Sequence, residues 1–136
     1  MVKISKAEAI LNKVLVSKLF HSKVLAYKFT ETGGKSNQEI YEILLEPYTV
    51  SVNLYKTWKW WSRVVAWVSG KGATTIHYHT KFFYPNKPHE VAGTLMHETS
   101  HCKGFYHNIK PWFKTVPYAM NAIIEECANE LGLSVE

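Results

Sequence analysis

Three histidines and a glutamate fall within eleven residues, in the run HETSHCKGFYH from His97 to His107. Imidazole nitrogens are common metal ligands, and a carboxylate beside them can move protons. Spacing decides whether these side chains can meet. An ideal helix turns about 100° per residue, so with Val91 at zero, Cys102, Leu95, Thr99, Ala92 and Met96 fall between about 20° and 140°. His97 and His101 fall near roughly 240° and 280°, adjacent and off that apolar arc, with Glu98 near roughly 340°. The helix is therefore expected to bury one side and to offer two imidazoles and a carboxylate on another.

Two imidazoles one turn apart can hold the same zinc ion, leaving Glu98 free to contact a metal-bound water. Gly104 follows the helix, where a glycine can take the left-handed conformation that stops the helix and redirects the chain. After such a turn His107 can swing back as a third ligand. Three neutral nitrogens leave a fourth position for water, the arrangement of catalytic rather than structural zinc. With this composition the full pattern arises by chance in about one chain in ten thousand, which argues against coincidence. Glu125 and Glu126 form a rival source of the third ligand. His107 is favoured because it fits the whole eleven-residue pattern. Cys102 adjoins His101 but falls on the apolar arc, so packing is expected of it, with Cys127 as a neighbour.

The elements that must position these residues follow from periodicity. Apolar residues at helical spacing predict a helix over about 5–20, and LAYKFT at 25–30 reads as a short strand. Ser36 and Glu39 form a capping box for a helix that Pro47 stops. YTVSVNLY alternates as a half-buried strand, with Val50, Val52 and Leu54 on one face. SRVVAWVS and ATTIHYHTKFF read as a hairpin around SGKG. Pro88 suits the first turn of the motif helix, expected over about 88–103. A last helix is expected over about 117–131, with Gly132 at its C-terminal cap. The cluster WKWW, at 58–61, is expected to pack in the core or at the sheet edge. His89 reads as the first turn of the motif helix and His21 as surface. Helices, then strands, then helices make an α+β domain with a small sheet.

The 136 residues suit one domain, 1–136, large enough to bury a core without disulfides. Aspartate is absent, which excludes an EF-hand loop and leaves glutamate as the source of any catalytic carboxylate. Two cysteines, Cys102 and Cys127, do not make a disulfide scaffold. The net charge is +5, without a Lys/Arg block, and reads first as a solvated basic surface. Lysines at 3, 6, 13, 18 and 23 interrupt any apolar signal core, so a cytoplasmic location is expected, with non-standard export left open. No run approaches the length of a membrane span. Neither nucleic acid nor membrane is expected as a partner, and a monomer is expected.

HETSHCKGFYH matches HExxHxxGxxH, and so resembles the zinc signature of the metzincin metallopeptidases. The segment TVPYAMN, at 115–121, resembles a reduced methionine turn through Met120. The motif with its VPYA segment is also similar to small bacterial metzincin-like proteins. The resemblance covers about 88–121. It implies a small single-domain zincin with a twisted sheet, an active-site helix and a C-terminal helix. It implies Zn2+ on His97, His101 and His107, Glu98 as general base, Gly104 as chain reversal and Met120 as hydrophobic floor. The implied activity is hydrolysis of a peptide or protein substrate. Asn108 stands where many family members have Asp, Ser or Thr, and no Met-x-Tyr follows. Tyr118, two residues before Met120, is the candidate for the transition-state donor, with simple packing as its alternative. The resemblance also places an extended substrate beside a strand. His77 and His79, on one face of TTIHYHTKFF, are the candidates for it, with ordinary strand surface as the alternative. Two other activities share the same ligands: a catalytically silent zinc-binding interaction module, and a zinc amidase acting on cell-wall peptide.

Overall fold

A computed structural model describes residues 2–134, a mixed α+β arrangement of six helices, one 3-10 turn and a three-stranded sheet. The expected N-terminal helix is two helices, α1 (Val2–Leu15) and α2 (Lys18–Ala26). Ser17 divides them. Its hydroxyl accepts from the Phe20 amide at 3.1 Å and its extended backbone caps α2, so the chain stops and restarts there. The strand expected at 25–30 is not formed. Helix α2 runs into it, and only Thr30 makes an isolated bridge, to Thr115. Helix α3 (Asn37–Leu45) opens with the expected capping box of Ser36 and Glu39.

The sheet comprises β1 (Ser51–Tyr55), β2 (Ala66–Trp67) and β3 (Thr75–His79), in the order β1-β3-β2. Strand β3 pairs parallel with β1 and antiparallel with β2. The hairpin is therefore present, but shorter than its alternation suggested. The third strand ends at His79, whose Nδ1 accepts from the Lys81 amide and caps the short α4 (Thr80–Phe83). The two-residue β2 leaves 56–65 outside the sheet, and WKWW lies on the surface rather than in the core. Trp58, Trp60 and Trp61 are all exposed.

Helix α5 (Pro88–Cys102) carries the motif and α6 (Val116–Glu130) follows a 3-10 turn at Trp112–Lys114. Pro88 occupies the first turn of α5, where its missing N–H costs nothing. Helix α5 packs most extensively on α6 and then on α1, and touches both β2 and β3. Phe20, Ile76, Tyr78, Met96, Met120 and Ile124 fill the core around it. One glycine sets the closeness of the α5–α6 approach. A Cβ at Gly93 would lie 3.1 Å from the Asn121 carbonyl and 3.2 Å from the Glu125 carboxylate. Among the described residues, no helix is long and apolar enough to cross a membrane.

Candidate metal centre

The apolar arc of α5 is buried as its spacing requires, but so is much of the opposite side. His97 is 8% exposed and Glu98 5%. Helix α6 and strand β2 cover that side, so the imidazoles line a cleft of about 600 Å3 instead of an open surface. Arg63 to Gly70 form one wall of the cleft, and Tyr106, Tyr118 and Asn121 contribute to its lining.

The turn after α5 is a full Schellman motif. The Phe105 amide donates to the Ser100 carbonyl and the Gly104 amide to the His101 carbonyl, both at 3.0 Å. Gly104 has φ +99°, which a side chain would resist. This reversal returns His107 to the two helical histidines. Ring centroids are 5.1 Å apart for His97 and His101, 5.4 Å for His97 and His107, and 4.6 Å for His101 and His107. One nitrogen of each lies within 4.8 Å of the others. Three imidazole nitrogens about 2 Å from one ion lie roughly 3.3 Å apart, a spacing within that limit. The donor set fits a borderline-soft ion such as zinc.

Two hydrogen bonds orient the rings. The Phe105 carbonyl lies 2.8 Å from His101 Nδ1, and the Asn121 amide oxygen 2.6 Å from His97 Nδ1. An acceptor at Nδ1 requires the proton there, which leaves each Nε2 lone pair directed elsewhere, available to a metal. Burial, and then the neighbouring histidines, lower the His97 pKa to about 3 against an opposing contribution from Asn121. Burial also lowers that of His101. Both rings therefore stay neutral at ordinary pH, the form that binds metal. Burial alone raises the Glu98 carboxyl to about 7.

Other expected residues divide between the site and the scaffold. Tyr118 reaches the site. Its ring packs 4.8 Å from those of both His97 and His107, and it is 41% exposed and lines the cleft. Met120 is wholly buried, within α6 rather than in a separate turn. The rival glutamates stay away from the ligand cluster. Glu125 lies against Gly93, while Glu126 faces Lys23 at 4.0 Å. Cys102 and Cys127 are free and buried.

His77 and His79 do not line the cleft. Their strand, β3, is the central one, paired along its length with β1 on one edge and at His77 and Tyr78 with β2 on the other. His77 stacks on Trp67 at 4.1 Å and His79 serves as a helix cap. The strand on the cleft wall is β2. It lies within SRVVAWVS, expected as a strand, but its place beside the motif helix depends on packing and was hidden in the sequence. Asn121 was equally hidden, 24 residues from its partner and on another helix.

Comparison of the chain with protein-family models, with curated proteins and with solved structures gave no match.

Proposed function

We propose that this chain is a zinc-dependent metallopeptidase of metzincin-like type. The observation that carries the reading is the convergence of His97, His101 and His107 beside a buried glutamate in one cleft. His97, His101 and His107 would hold the ion, the first two through the nitrogens left free by Asn121 and the Phe105 carbonyl. When bound, zinc supplies a Lewis acid that activates water and polarises a carbonyl.

The chain's own residues supply the rest. Glu98 takes the proton of the attacking water and passes it to the leaving amine. Tyr118, which lines the cleft with its ring against His97 and His107, would donate its hydroxyl to the developing oxyanion. Strand β2 is paired on one edge only, so its other edge can hydrogen-bond an extended peptide along the cleft wall.

The test combines metal analysis with a peptide library that includes cell-wall peptides. One zinc per chain is expected, lost in His107→Ala and retained in Glu98→Gln, which should hydrolyse nothing. Protein without stoichiometric zinc after gentle preparation sinks the reading, as does a fully active Glu98→Gln. Tight zinc without cleavage of any library member would instead favour a catalytically silent module.

A further inference from the structure

The chain's positive charge is not evenly spread. Residues 47–89 contain Lys56, Lys59, Arg63, Lys71, Lys81 and Lys87 and no acidic residue. Ten of the sixteen basic residues and all eleven acidic ones lie elsewhere, so the +5 excess belongs to this segment. Within it stands the exposed loop WKWW. Trp58 and Trp60 are each 76% exposed and Trp61 53%. Three large indoles on a surface are costly unless something covers them.

The loop is held in place. Lys81 Nζ donates to the Trp60 carbonyl at 2.6 Å and to the Ser62 carbonyl at 3.4 Å, tying the loop to α4. The indoles brace one another edge to face, Trp58 on Trp61 at 5.3 Å and Trp60 on Trp61 at 5.9 Å. Lys59 Nζ sits 5.8 Å from the Trp58 ring, so cation and apolar surface are presented together.

We propose that this loop docks the protein on an anionic lipid surface. Indoles suit the level of the headgroups, where the ring body meets acyl chain and the N–H meets water or phosphate. Lys56 and Lys59, both exposed, flank the indoles and match a negatively charged leaflet. A base-stacking platform would need open parallel ring faces, whereas these rings meet at 78° and 86°. The same stretch of chain continues into Arg63–Gly70, the wall of the cleft. Docking therefore brings the histidine cleft to the membrane surface, where its substrate would be met. No spanning helix is required for this mode of attachment. The proposal stands on the loop alone and does not depend on peptidase activity.

The test is sedimentation of the full chain with vesicles of phosphatidylcholine mixed with phosphatidylglycerol, and with vesicles of phosphatidylcholine alone, reading bound protein and tryptophan emission. Binding to the mixed vesicles with a blue shift is expected, weakened by salt. Replacing both Trp60 and Trp61 by Ser should lower partitioning at least about tenfold. Lys56→Gln with Lys59→Gln should lower it by about fivefold per residue. These side chains are exposed, so helix content by circular dichroism should not change and serves as the folding control. The proposal is overturned if the wild-type chain ignores mixed vesicles, binds neutral ones equally, or binds undiminished in both variants. Indole-dependent binding to single-stranded DNA without vesicle binding would also overturn it, and would assign the loop to nucleic acid.

Discussion

The side-chain oxygen of Asn121 lies 2.6 Å from Nδ1 of His97, joining the last helix to the first histidine of the motif. Because that oxygen accepts, the imidazole carries its proton on Nδ1 and keeps the Nε2 lone pair free for a metal. Asn121→Ala should weaken zinc binding by about 10- to 100-fold while leaving the three ligands in place. Zinc titration against a competing chelator checks this. Unchanged affinity would show that packing alone orients the ring.

Gly104 is the pivot for two of the site's contacts, the return of His107 and the Phe105 carbonyl on His101. At φ +99° an alanine is strained, and its Cβ would meet the Lys71 side chain at 3.4 Å. Gly104→Ala should cost about 1–2 kcal/mol in the metal-free chain. It should cost more in the zinc-bound form, because the misplaced turn also moves a ligand. Denaturation with and without zinc measures both. An equal loss in the two forms would mean that the turn does not set the site.

Lys103 lies inside the motif yet serves another helix. Its Nζ donates to the carbonyls of Ile43, Leu44 and Glu46, the open end of α3, at 2.7 Å for the first. Lys103→Met should lower stability by about 2 kcal/mol, through loss of charged hydrogen bonds at a helix C-terminus. Zinc content should not change. A variant of normal stability that lost zinc would reverse this assignment.

Glu125 packs on α5 beside Gly93, and burial, followed by the nearby Glu90, raises its pKa from 4.5 to about 6. The folded chain therefore holds this proton more tightly than the unfolded chain. Its contribution to stability is full below about pH 4.5 and is lost as the pH rises through 6. Glu125→Gln should leave stability unchanged in acid and raise it by about 1 kcal/mol above pH 7, after a discount for partial exposure. Denaturant midpoints across that range test it, and a pH-independent difference would contradict it.

The sequence alone determined what is local. Ser36 and Glu39 cap α3 as their three-residue spacing requires, Pro88 opens α5, and the alternation of Val52 with Asn53 marks β1. His97 and His101 were placed together because a helix turn is a fixed geometry, and Gly104 because few other residues hold a positive φ. Tertiary structure decided the rest. The burial of the histidine side of α5 came from α6 and β2, which no helical angle contains. Strand β3 became central through a parallel pairing with β1 across intervening chain, which removed His77 and His79 from the cleft. WKWW, apolar by composition, stayed outside because β2 is too short to draw it into the sheet. Asn121 met His97 only because Gly93 lets two helices approach closely. Spacing along one element is a short-range property of the backbone, whereas these contacts depend on which faces pack together.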